Sequence, residues 1–138
     1  MIKATWNSDS CASYLQPTFD LRPALRVTLL EDFLAFKGHG TFPDVFGKDV
    51  PYTAPAAIVS SRVYHVHLLF TRPEKTSSRI AYNRTSDRAL VYSQHAKFPQ
   101  VYSLLAIFPK DAHARAKDPE VLKDIAAYAK AFQELSNP

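Results

Sequence analysis

The chain has 138 residues, of which 46% are hydrophobic, 12% aromatic and 22% charged, enough apolar material for one core and too much for a disordered chain. No apolar run approaches the roughly 18 residues a membrane helix needs, and a single cysteine, Cys11, rules out both an internal disulfide and a cysteine-rich zinc module. The formal net charge of +4 is unevenly spread: residues 62–117 hold ten basic and three acidic residues, the remainder seven and ten. Such a distribution suits a polyanion or an acidic protein partner, or else a solvated face. The opening residues, Met1 to Cys11, lack the apolar stretch of a secretory signal, which predicts a cytoplasmic protein with no membrane partner. One domain is expected over residues 1–138.

Residues 1–20 read as irregular, with Ile2–Trp6 or Ala12–Leu15 able to form an edge strand. From 21 to 38 the pattern is helical: Leu25, Leu29, Phe33 and Phe36 recur at spacings of four, four and three, with Leu30 and Leu34 widening the stripe. Asp20 suits a cap, Pro23 a first turn, and Gly38 or Gly40 a left-handed ending. The stretch Thr41–Asp49 is too short and punctuated for a regular element. Strands are expected within 57–108, at Val63–Phe70, Ile80–Tyr82, Ala89–Ser93 and Val101–Phe108, by their β-branched and aromatic content. Asp118 then caps a helix over 119–135, begun by Pro119, with Leu122, Ile125, Tyr128, Ala129 and Phe132 on one side. Consecutive strands with short links imply antiparallel pairing, so the class is α+β.

Chemistry concentrates in three places. On the strand at 63–70, alternation puts Tyr64, Val66, Leu68 and Phe70 on a packed face and His65 and His67 on the opposite, open one, about 7 Å apart. Two such imidazoles could share a metal with a third ligand, act as acid and base, or be plain polar surface. In Tyr82–Tyr92, Asp87 can bond the backbone of a turn, Arg84 can hold a phosphate bidentately, and Tyr92 is either core or a platform for a base. His113 follows the last strand in a basic stretch with Arg115 and Lys117. His39 reads as a helix-end residue and His95 as a loop residue.

The ordered strings Gly40-x-x-Pro43-Asp44-x-Phe46-Gly47-Lys48-Asp49, Val63-x-His65-Val66-His67-Leu68 and Arg84-Thr85-x-Asp87-x-Ala89-Leu90-Val91-Tyr92 carry a resemblance. Leu104-Leu105-Ala106-Ile107, Pro109, His113-x-x-Ala116-Lys117 and Ala131-Phe132 continue it, and Asp32-Phe33 with Phe36-Lys37 begin it. Together, over roughly residues 23–133, they resemble the YafO family of bacterial type II toxins, relatives of the RelE-like toxins. The resemblance implies a ribosome-dependent endoribonuclease that cuts mRNA during translation, acting at the large ribosomal subunit and restrained by a cognate antitoxin. It also implies an antiparallel sheet packed against an amino-terminal helical segment and a carboxy-terminal helix. Residues 1–20 fall outside the match.

Cleavage of RNA without a metal or cofactor needs a base for the ribose 2′-hydroxyl, an acid for the departing 5′-oxygen, and cations on the phosphate. The expected site therefore draws on His65, His67, Arg84, Asp87 and His113. Lys48, Arg62, Tyr92, Arg115 and Lys117 are the expected RNA contacts. The alternatives are a non-catalytic translation inhibitor of the same fold and a metallohydrolase ligated by His65, His67 and His113.

Overall fold

The computed structural model describes residues 1–138. Its centre is a five-stranded sheet in the order β1-β5-β4-β3-β2, formed by β1 (Lys3–Trp6), β2 (Phe46–Pro51), β3 (Val63–Leu68), β4 (Ala89–Gln94) and β5 (Val101–Phe108). β2 through β5 pair antiparallel, as the α+β reading requires. The amino-terminal strand β1 instead runs parallel to β5, with Lys3 opposite Val101 and Trp6 opposite Leu104, so the sheet is mixed. Of the two segments considered for an edge strand, Ile2–Trp6 supplies it, while Cys11–Leu15 is a helical turn.

The helix expected over 21–38 is two helices, α1 (Gln16–Leu21) and α2 (Leu25–His39). Pro23 disfavours helical geometry in the residue before it, and Arg22 accordingly leaves the helix with φ −137 and ψ 75. Asp20 lies inside α1 rather than capping α2, whose N-cap is Ala24. Gly40, at φ 67, ends α2 in the left-handed conformation that a side chain disfavours.

Two further expectations are corrected by pairing. Thr41–Asp49 is not wholly irregular: from Phe46 it enters strand β2 on the sheet edge, with a bulge at Gly47 and Lys48 between the pairs Phe46–Leu68 and Asp49–Val66. An edge tolerates Pro51, which has no N–H to give a neighbour. Ile80–Tyr82 is no strand: both edges of β3 are occupied by β2 and β4, and the segment forms a bend and a short 3₁₀ turn, Ala81–Asn83. Short helices α3 (Ala56–Ser60), α4 (Arg72–Lys75) and α5 (Ala112–Arg115) connect the strands, and α6 (Pro119–Gln133) closes the chain with Asp118 accepting from the Glu120 N–H.

Apolar packing occupies both faces of the sheet. On one, Leu29 and Phe33 of α2 and Phe19 of α1 meet Val66, Leu68, Leu90, Tyr92 and Leu104. On the other, Val121, Ile125 and Ala129 of α6 and Ile58 of α3 meet Val63, Val91, Leu105, Ala106 and Phe108. The first five residues of β4 and the last seven of β5 are buried, and a strand apolar on both sides requires a layer on both sides.

Candidate active site

His65 and His67 project from the same face of β3, as alternation demands, with ring centroids 5.7 Å apart. That face is not the open one expected. His65 stands opposite Val50 and Val91, and His67 opposite Ala89, beneath the layer made by α3, α5 and α6. His67 is only 7% exposed. His65 is half-buried against Tyr52, with ring centroids 4.7 Å apart, and its Nδ1 is buried without a hydrogen-bond partner. The correction has a simple origin: β4 and β5 are apolar on this side, so α6 must cover it, and the histidines sit at the margin of the covered area.

Burial fixes their charge. Desolvation, reinforced by the neighbouring His67, lowers the pKa of His65 to about 4. Desolvation also lowers that of His67, against the opposing influence of its bond to Ser86. Both rings are therefore neutral at neutral pH in the free protein. Nδ1 of His67 lies 2.9 Å from the Ser86 N–H and 2.8 Å from the Ser86 carbonyl. Either tautomer is thus satisfied: one accepts from the amide, the other donates to the carbonyl.

Asp87 and His113, distant in sequence, meet at the mouth of this pocket. One carboxylate oxygen of Asp87 accepts the His113 backbone N–H at 2.9 Å and lies 2.7 Å from His113 Nδ1. The Asp87 carbonyl accepts the Ala112 N–H at 3.0 Å. Asp87 thereby holds the first turn of α5 as well as the imidazole, and those bonds depress its own pKa. With its Nδ1–H given to Asp87, the uncharged ring of His113 carries its lone pair on Nε2, the form a general base needs. The His113 side chain is 69% exposed, and its ring centroid is 5.9 Å from that of His67. His65, His67 and His113 therefore form a row that reaches solvent at His113, where it ends at a carboxylate. The space beside them, about 30 Å³, is large enough for a water molecule. No three His, Cys, Asp or Glu side chains are arranged to hold one ion, so the residues do not fit the metallohydrolase reading.

The expected basic residues divide. Lys48, on the β2 bulge, lies near enough to His67 to oppose its protonation, and its Nζ is 5.9 Å from the Tyr82 ring. Arg84 follows the Ala81–Asn83 turn; its Nε donates to the Ser78 carbonyl at 2.8 Å, and its terminal guanidinium nitrogens make no bond within the protein. The Arg84 carbonyl accepts the Lys48 N–H at 2.8 Å, which ties the two cationic segments together. Arg115 and Lys117 are exposed on the segment that carries His113, with the Arg115 guanidinium 5.6 Å from the Phe108 ring. Arg62 is not with them. It occupies the turn before β3, at φ 54, bonded to Gln94 at 3.0 Å, and lies at the other end of the strand from His67.

Tyr92 requires a correction as an RNA contact. It is 1% exposed on the opposite face of the sheet, packed on Phe33 and Tyr64, and its hydroxyl donates to Asp49 at 2.6 Å. The alternative left open for it, core, is what the structure shows. Three site residues escaped the sequence reading. Tyr52 follows a proline in a stretch with no period, Ser86 acts through its backbone, and Tyr82 was assigned to a strand. Tyr82 is 44% exposed beside a lysine, and an exposed aromatic in a basic segment was the available signal.

The profile of the family described as "Toxin YafO, type II toxin-antitoxin system" matches residues 34–134, which contain every residue placed in this site. An Escherichia coli (strain K12) protein named "mRNA interferase toxin YafO" is 36% identical over 110 residues, covering 76% of this chain and 83% of that protein. No solved structure matches the chain. The histidine row and Asp87 lie wholly within that match, and the chain belongs to the YafO family of type II toxin–antitoxin toxins.

Proposed function

We propose that this protein is an endoribonuclease that cuts mRNA on the translating ribosome, at the large subunit in the cytoplasm, and that it needs no metal or cofactor. Its partner in restraint is a cognate antitoxin, as membership of a type II family entails. The observation that carries the reading is the alignment of Asp87, His113 and His67, with Lys48 close enough to His67 to bear on its charge.

The geometry supports the following reaction. His113, its Nδ1–H held by Asp87, accepts the ribose 2′-hydroxyl proton at Nε2, and the developing imidazolium is stabilised by the carboxylate. The 2′-oxygen forms a bond to the adjacent phosphorus, and the bond from phosphorus to the 5′-oxygen breaks. This leaves a 2′,3′-cyclic phosphate and a 5′-hydroxyl. His67 is neutral in the free protein; an arriving phosphodiester favours its charged form and equips it to protonate the leaving 5′-oxygen. His65, neutral behind it, provides packing rather than a proton at neutral pH. Arg84 and Lys48 stabilise charge on the phosphate, while Arg115 and Lys117 position the strand. Tyr82 offers a face for a base.

Mapping mRNA ends within minutes of induction tests the proposal. Cleavage should appear with the parent chain and fall by about 10²–10⁴ in the His113→Ala variant, the usual contribution of a positioned acid or base. Undiminished cleavage by that variant would overturn the assignment.

A further inference from the structure

Outside the catalytic row, the largest apolar concavity is a groove between α3 and α6, about 640 Å³ in volume. Pro55 and Ala57 form one wall, Leu122 and Ala126 the other. It continues past Ala57 and Ala126 into a second hollow of about 520 Å³ that includes Ala127 and Lys130. Small side chains make both walls shallow, so the backbone of an incoming segment can come close. The cations stand on the α6 side: Lys117 and Lys123 border the first hollow and Lys130 the second, against a single acidic residue, Glu134. None of these three lysines takes part in an ion pair of the chain. The groove also touches the catalytic pocket, because Ala116 lines both.

We infer that this groove is the docking site of the antitoxin, and that it takes an amphipathic helix bearing an apolar strip flanked by carboxylates. The inference rests on the toxin reading above and adds the surface, the chemistry of the segment and the means of restraint. An apolar strip fits the alanine-lined floor, and acidic flanks pair with Lys117, Lys123 and Lys130, which have no partners of their own. A segment filling the groove to its Ala116 end stands beside His113 and covers Lys117. RNA is thus excluded without the antitoxin having to enter the narrow histidine pocket.

The test measures binding of full-length cognate antitoxin to the full chain, together with growth in cells that lack antitoxin. The variant Lys123→Glu/Lys130→Glu changes two exposed side chains outside the catalytic row and should remain as toxic as the parent. It should bind antitoxin about tenfold or more weakly at 0.1 M salt, as expected when charges flanking an interface are reversed. Ala126→Glu, which fills the groove from its α6 wall, should weaken binding further, with a melting temperature measured alongside to confirm that the variant is folded. Lys97→Glu, a single reversal of the same kind in the loop between β4 and β5, should bind within about twofold of the parent. Parent-like affinity in both groove variants would overturn the inference, and so would an equal loss in Lys97→Glu, because only overall charge would then matter. Failure of the toxin reading shows separately, as an absence of mRNA cleavage by the parent chain in antitoxin-free cells.

Discussion

One carboxylate oxygen of Asp87 holds both the backbone and the ring of His113, so the two residues act as a unit. Replacing Asp87 with asparagine keeps an oxygen acceptor but removes the charge that fixes the tautomer and stabilises the imidazolium. Asp87→Asn should lower mRNA cleavage by about 10²-fold or more, with little change in melting temperature because the pair is exposed. His65 has the opposite character, since its importance is to stability. Its folded-state pKa of about 4 lies below the ordinary 6.5. Above pH 6.5 both folded and unfolded chains carry it neutral, and its stability is fully present. As pH falls from 6.5 through 4, the unfolded chain takes up a proton that the folded chain resists, and stability is lost. The loss is on the order of 2–3 kcal/mol from this group, with His67 acting in the same direction. His65→Leu should flatten the decline, read as the urea midpoint at pH 4.5 against pH 7.

At the scale of elements, the β2 bulge couples the edge strand to the cationic rim. Gly47 lies against the Arg84 segment so closely that a Cβ would collide with the Arg84 carbonyl oxygen, the acceptor of the Lys48 N–H. Gly47→Ala should cost about 1–3 kcal/mol through the enforced shift and should also reduce mRNA cleavage, because Lys48 and Arg84 move together. A melting curve and a cleavage assay on the same preparation check both. The loop after β3 is held more firmly than its sequence suggests: Thr71 caps α4 by accepting the Glu74 N–H, and the Glu74 carboxylate accepts the Thr71 N–H and also Arg88 at 2.7 Å. That clasp fixes the approach to Asp87, one residue before Arg88.

For the whole molecule, the net charge of +4 permits only a modest number of phosphate contacts, and affinity built on them falls steeply with salt. Binding energy from the ribosome would then position the message, a proximity effect rather than a new chemical one. Cleavage of free RNA should be slow or absent at physiological salt and should appear once translating ribosomes are supplied. Equal rates in the two assays would count against the dependence. The double-sided core serves this arrangement by setting the histidine row at the edge of a rigid layer, where packed neighbours hold the rings in place.

The sequence by itself determined the class, most of the strands, the start of α6 and the pairing of His65 with His67 on one face, because these follow from local periodicity and capping. It also located Asp87 and His113 as candidates, through residue type and the strings in which they stand. The meeting of Asp87 with His113 depended on tertiary structure, since α5 folds back across residues far apart in the chain. So did the second covering layer, which turned an expected open face into a half-buried row and set its charge through desolvation. Tyr92 stands outside the site because it points to the opposite face, into the α2-side core, and Arg62 because it lies at the far end of β3 from His67. Residue type and spacing fix what a side chain can do and which way it points from its strand, but only the packing of distant elements decides whether water or hydrocarbon lies beyond it.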